Sequence, residues 1–190
     1  MAGANDQRDQ TIDLDEPLLV ERVRRGDREA FGKLVDRYSE QAFAVAYGFL
    51  QHAEDAEDLA QDAFLRALER IDRLDRGSPF GPWFYRLLVN AALNRRKYLA
   101  RRRMEKIPEG TTGPGDPAAD AERAVLRNCL ASAVDALPDD LATVVILHDL
   151  EGFTHPEIAR VLEIPEGTCR SHLSRARRML REGLKELRHP

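Results

Sequence analysis

A chain of 190 residues, 43% hydrophobic and 33% charged, has the composition of a folded protein with room for one ordinary domain or two small ones. No window approaches the roughly 18 consecutive apolar residues of a membrane span, and the opening MAGANDQRDQTIDLDEP lacks the apolar run of a secretory signal, so a cytoplasmic chain without membrane insertion is expected. The formal net charge of -4 argues weakly against a nucleic-acid partner, and two cysteines forty residues apart, Cys129 and Cys169, suggest neither a disulfide framework nor a CxxC metal site.

Residues 1–16 read as a disordered polar tail. Leu19, Val20 and Val23 then form a short apolar stripe that stops at Gly26, and Asp27 has the character of an N-cap for a helix carrying Phe31, Leu34, Val35 and Tyr38 at i, i+3, i+4 and i+7. The run QAFAVAYGFL, Gln41 to Leu50, is apolar nearly all round, as in a helix buried among others. From about Asp55 to Arg70 the inner face of the next helix is marked by Leu59, Ala63 and Leu68 with Ala56, Ala60 and Ala67. Its outer face is acidic: Glu54 to Asp62 holds five acids and no base.

Gly77, Pro79, Gly81 and Pro82 break the chain at LDRGSPFGP. A long helix is expected from Trp83 to about Arg103, first aromatic and apolar, then cationic, with seven bases and no acid between Arg86 and Arg103. Trp83 itself fits either a core position or a base-stacking one. Residues 105–121 contain IPEGTTGPGDPAA, the composition of a flexible linker. Beyond it Val125, Leu126, Leu130 and Val134 mark one helix, and Leu141 to Leu150 another. The VVIL run at Val144 to Leu147 is the nearest approach to a strand, but its flanks are helical.

FTHPEIARVLEIPEGTCRSHLSRARRML reads as a helix-turn-helix over about 154–176. Thr154 and Glu157 have capping-box spacing, Ile158, Val161 and Leu162 form a buried side, and Pro165 lies where a second helix begins. Along that helix Cys169, Leu173, Ala176, Leu180, Leu184 and Leu187 fall on one stripe at about 100° per residue. The other face carries Ser171, Ser174, Arg175 and Arg178, flanked by Arg170, Arg177 and Arg181. One face held by a scaffold and one able to reach base edges and phosphates is what a recognition helix needs. Arginine forks pair bidentately with guanine or phosphate, and hydroxyls such as Thr168 bond phosphate oxygens. Cys169 and His172 have no further ligand pair near them, so no metal is expected. The fold class is all-α, two small helical domains joined by a flexible linker.

DAEDLAQDAFLRALERI, a Gly/Pro loop, and FGPWFYRLLVNAALNRRKYLARRR together resemble the two signature stretches of bacterial extracytoplasmic-function (ECF) sigma factors of the sigma-70 family. The C-terminal LPDDLATVVILHDLEGFTHPEIARVLEIPEGTCRSHLSRARRMLREGL resembles that family's second DNA-binding domain. The resemblance implies sigma region 2 over 17–104 and sigma region 4 over 122–188. Within region 2 it implies a helix, 55–68, that binds a coiled coil of the largest core RNA polymerase subunit through Asp55, Asp58, Gln61 and Asp62. It further implies a minus-10 promoter element over 74–103, with Arg76 and Phe80 on the loop, Arg86 and Asn90 facing the strand, and Asn94, Arg95 and Arg96 along its backbone. For the minus-35 element it implies Thr168, Arg170, Ser171, Ser174, Arg175, Arg177 and Arg178. Other implied partners are the polymerase flap and an anti-sigma factor, which would hold the chain at a membrane. Neither catalysis nor a cofactor is expected.

Asn94 stands where the family often has aspartate, Cys169 where valine is usual, His172 where a base is common and Ser174 where a larger side chain is frequent. The change at Ser174 puts the implied minus-35 contacts in question. Read from the C-terminal half alone, the chain would be a stand-alone helix-turn-helix regulator independent of polymerase. An enzyme is a remoter alternative: His52, His148, His155, His172 and His189 are scattered, with no nucleophile motif or phosphate loop beside them.

Overall fold

The computed structural model describes residues 16–105 and 131–188, and every regular element among them is helical. The expected tail and linker, and the start of the helix carrying Val125 and Leu126, lie outside the described residues. The first element, α1 (Glu16–Arg24), buries Leu19, Val20 and Val23. It begins at Glu16, one residue earlier than the expected domain boundary, and that residue proves to matter. Asp27 caps α2 (Arg28–Leu50) as expected, its carboxylate accepting the Ala30 N–H at 3.1 Å while Arg22 holds its other oxygen at 2.8 Å.

Helix α2 is continuous for 23 residues, so the apolar run from Gln41 is its second half. Tyr47 is 40% exposed, and the run is therefore not buried all round. The helix ends where Gln51 turns left-handed (φ 53°) and returns its N–H to the Tyr47 carbonyl at 2.8 Å. Helix α3 (Ala53–Glu69) lays Ala56, Ala60, Ala63 and Ala67 against its neighbours, small side chains that permit close approach. A 3-10 turn, Ile71–Arg73, leads to the Gly/Pro loop.

Helix α4 (Phe80–Glu105) starts three residues before Trp83. Gly81 and Pro82, which read as loop, occupy its first turn, where a missing N–H costs nothing. A Cβ on Gly81 would stand 2.9 Å from the Tyr38 hydroxyl, so this close approach of α4 to α2 requires glycine. Behind it an aromatic cluster fills the core: Phe80 stacks on Phe84 with centroids 5.5 Å apart, Phe84 on Phe64 at 4.5 Å, and Tyr38 lies 5.4 Å from Phe80. Phe80 and Phe84 are fully buried, each contributing about 1.5–3 kcal/mol by removal from water.

In the second half a short helical stretch, 131–135, leads through Pro138 to α5 (Asp139–Val145). The VVIL run is helical, not extended, but α5 passes at Ile146 into a π-helical turn, Ile146–Leu150. The Glu151 N–H bonds the Ile146 carbonyl and the Phe153 N–H bonds that of Leu147, which widens the turn and delivers Phe153 to the core. Helices α6 (His155–Leu162) and α7 (Glu166–Arg188) follow, separated by Glu163 in the left-handed region at φ 55°. The two halves of the chain are in contact: α6 packs on α4, and the π-helical turn on α2.

Candidate nucleic-acid interface

Three surfaces hold the residues singled out in the sequence. On α3, Asp58, Gln61 and Asp62 are exposed, while Asp55 is half-buried because its carboxylate accepts a hydrogen bond from Arg95 at 2.5 Å. That bond raises the Arg95 guanidinium above its ordinary value. Leu68, expected on the inner face, is 38% exposed, and Leu65 on the same helix is 55% exposed. The acidic surface thus has an apolar border: at about 100° per residue both leucines lie off the buried stripe that carries Leu59.

The second surface is the loop 74–79 and the outer side of α4. Two residues of α1 fix its base. Glu16 accepts the Phe80 N–H at 2.8 Å and the Tyr38 hydroxyl, capping α4 from a distant element. Arg24 donates to the carbonyls of Leu74 and Ile71. Above them Arg76 is exposed, but Phe80, expected on the rim, is fully buried and holds the loop from beneath. Trp83 is a core residue, 9% exposed and 5.8 Å from the Phe80 ring.

Along α4, Asn90 and Asn94 are exposed. Arg86 pairs with Glu163, and Arg96 meets Asp139 at 3.1 Å and Asp135 at 4.0 Å. Sequence reasoning passed over Tyr98. It is 45% exposed, with the guanidinium carbons of Arg95 and Arg102 5.9 and 5.8 Å from its ring centre. The visible signal was an aromatic residue inside a basic run, an arrangement suited to stacking against bases.

The third surface is α7. The Glu157 carboxylate accepts both the backbone N–H and the hydroxyl of Thr154 at 2.7 Å, which completes the expected capping box of α6. Pro165 sits just before α7, its carbonyl accepting the N–H groups of Thr168 and Cys169. Cys169, Leu173 and Ala176 are buried on the expected stripe, and burial pushes the Cys169 thiol up. Opposite them Arg170, Ser171, Ser174, Arg175, Arg177 and Arg178 are exposed and Thr168 is half-buried. Ser171 donates to the Thr168 carbonyl at 2.8 Å, and Arg170 pairs with Glu166 at 2.7 Å.

Arg177 is held by both oxygens of Asp149, at 2.9 and 2.5 Å. The bond to Arg177, and a lesser one to His148, keep the Asp149 carboxyl below the ordinary range against the opposing effect of burial. Among the described residues no group of three His, Cys, Asp or Glu is arranged to hold a metal ion, and His172 faces Asp140 at 3.7 Å. No described helix is long and apolar enough to cross a membrane.

Two family descriptions match: Sigma-70 region 2 over residues 34–103 and Sigma-70, region 4 over residues 127–180. RNA polymerase sigma-H factor of Pseudomonas aeruginosa is 34% identical over 180 residues, spanning 89% of this chain and 93% of the relative. ECF RNA polymerase sigma factor SigW of Bacillus subtilis is 31% identical, spanning 88% and 96%. The chain belongs to the ECF group of the sigma-70 family. It is a sigma factor, and the stand-alone regulator, which accounts for region 4 only, is not favoured.

Two solved structures share the fold of this sigma factor. CnrH in complex with the cytosolic domain of CnrY superposes with a TM-score of 0.68 at 24% identity, covering 90% of this chain and 97% of that one. The sigma factor RpoE of Bartonella quintana, in complex with the anti-sigma factor NepR, superposes at 0.58 and 24% identity, covering 82% and 96%. In the sigma factor described here α3 and α4 lie within region 2, and α5 to α7 supply region 4.

Proposed function

We propose that this sigma factor is a non-catalytic specificity subunit that docks on core RNA polymerase through α3, reads the minus-35 element with α7, and opens the minus-10 element with α4 and the loop before it. The observation that carries the reading is the presence on one chain of an acidic face with an apolar border on α3, a cationic outer side on α4, and a second, separately scaffolded cationic face on α7. A regulator that only bound duplex DNA would need the last of these alone.

Asp55, Asp58, Gln61 and Asp62 present acid and amide groups to a basic coiled coil, with Leu65 and Leu68 adding apolar contact. On α7, Arg170, Ser171, Ser174, Arg175 and Arg178 face the major groove, Thr168 faces the phosphates, and Arg177 reaches them by exchanging Asp149 for phosphate oxygens. Extruding a base costs a few kcal/mol, offset when a pocket and a cationic track receive the strand. The loop 74–79 with Arg76 forms that pocket, and Phe80 supports it from the core. Arg86 and Asn90 face the displaced strand, and Asn94, Arg95 and Arg96 follow its backbone.

In this reading residues 17–104 act as region 2, 122–188 as region 4, and 105–121 connect them. Region 4 also meets the polymerase flap, and the site of action is the cytoplasm, where polymerase works. An anti-sigma factor is the expected inhibitor, as NepR is a partner of RpoE. The test is transcription in vitro. Purified chain and core polymerase should co-elute and yield promoter-dependent transcripts from fragments of the source genome. Failure to bind core together with absence of any such transcript overturns the proposal.

A further inference from the structure

We infer that in the free chain the acidic edge of region 4 occupies the α4 surface used for minus-10 DNA, so that region 4 and the displaced strand compete for one row of cations. The inference rests on the proposed reading of α4 as the minus-10 face.

Three separate parts of region 4 bring carboxylates to that row. Glu163, the residue that ends α6, pairs with Arg86. Asp139, the first residue of α5, lies 3.1 Å from Arg96 and 2.8 Å from Lys97. Asp135 adds a longer contact to Arg96 at 4.0 Å. The Arg96 side chain is left only 14% exposed. Carboxylates thus stand where phosphates would, and a guanidinium so engaged cannot fork onto a phosphate as well.

Uncharged contacts hold the two regions in the same position. Phe153 meets the Tyr85 ring edge-on, with centroids 5.0 Å apart and planes at 89°. Gln41 donates to the Glu151 carbonyl at 3.3 Å. Gly48 of α2 lies under the fully buried Ile146 so closely that a Cβ there would stand 2.7 Å from Ile146 Cγ2. Ile146 branches at Cβ, so that atom cannot swing aside without moving the π-helical turn.

The seam is a compromise for its central cation. Arg96 Nη1 is buried within it and has no hydrogen-bond partner among the described residues, a donor that phosphate oxygens can satisfy and the Asp135 and Asp139 carboxylates do not. The pairs are mostly part-exposed and screened by salt, so closure is reversible. Closure is also selective. Asp58, Gln61 and Asp62 on α3, Arg175 and Arg178 on α7, and Asn90, Asn94 and Arg95 on α4 stay exposed, while Arg86, Arg96 and Lys97 are engaged by carboxylates. The free chain is therefore competent for polymerase and for duplex contact, but binds single-stranded DNA with three of the α4 cations already engaged.

The test compares full-length wild type with two variants that open the seam by different means. Gly48→Ala inserts a methyl group at the Ile146 contact and changes no charge. Asp139→Asn with Glu163→Gln removes the carboxylates. Glu54→Gln with Glu57→Gln removes the same charge from exposed positions outside the seam and serves as control, and circular dichroism verifies that each variant is folded. Small-angle scattering should show a compact wild type at low salt and an expanded form for both opening variants. Each should bind dye-labelled random-sequence single-stranded DNA roughly three- to tenfold more tightly than wild type, as expected when a competent state rises from a minor to a major population. The control should change neither reading to the same extent.

A wild type already expanded at low salt overturns the inference. So does expansion of the variants without a gain in affinity, or an equal gain in the control. Should Gly48→Ala not fold, the charge variant against its control decides alone. Failure of the underlying reading is distinguishable: Arg86→Ala and Asn90→Ala would then leave promoter opening by the polymerase complex unchanged, whereas failure of the masking alone leaves both variants defective there.

Discussion

Glu16 joins three elements at the root of the loop 74–79, since its carboxylate accepts from the first N–H of α4 and from Tyr38 while Arg37 stands 3.9 Å away. Burial and the neighbouring Glu16 carboxylate both keep the Tyr38 phenol protonated. Replacing Glu16 by Ala strands two donors and should destabilise region 2 by about 1–3 kcal/mol in urea unfolding, with Glu16→Gln, which keeps an acceptor, losing less. Nothing in the sequence marks this residue: it stands at the edge of a polar tail, and its partners lie 22 and 64 positions away. Phe80 was misplaced for a related reason. The glycine and prolines around it read as loop, although a helix tolerates them in its first turn.

Asp149 and its histidine neighbours set the behaviour of region 4 in acid. Because the Asp149 carboxyl is lowered in the folded chain, its pair with Arg177 is fully formed above the ordinary value of 3.8 and weakens only as the pH falls through the lowered one. Asp149→Asn should therefore cost about 0.5–1 kcal/mol at neutral pH, a difference that disappears at the acid end of a urea-unfolding series. His155, 4.6 Å from the His148 ring, is held below the ordinary 6.5 first by burial and then by that neighbour. The fold thus prefers neutral His155, so acidification across this range opposes folding. In an NMR titration His155 should titrate below 6.5, and His148→Ala should move it upward.

At the scale of elements the helices were legible wherever one face is apolar with helical period and a cap stands at the start. Asp27 and the Thr154/Glu157 pair both cap as their spacing implies. Thr154→Ala should cost region 4 about 1 kcal/mol, measured as an earlier unfolding transition, while Ser at that position retains most of the stability. The π-helical turn was not legible, because an i+5 bond leaves the periodicity of a short apolar run almost unchanged. The exposure of Leu68, by contrast, was legible: at about 100° per residue it stands about 180° from Leu59 and about 140° from Ala63, so the helical period alone takes it off the inner face.

At the scale of the whole molecule the sequence displays its charge blocks but not which block faces which. The cations of α4 read as a track for DNA, and the acids at Asp135, Asp139 and Glu163 as ordinary helix-end charges; only the packing of region 4 on region 2 brings them together. The acids of α3 are arranged differently. Arg95 reaches across to Asp55, while Asp58 and Asp62 remain exposed, as the proposed docking role requires. Reversing both, Asp58→Lys with Asp62→Lys, should weaken co-elution with core polymerase at least about tenfold, because like charges then face a basic surface. Helix content and binding of duplex DNA by α7 should not change, since both side chains are exposed on α3. A chain acting without polymerase would be indifferent to the reversal, so retention of promoter-dependent transcription by this double variant would assign α3 another role.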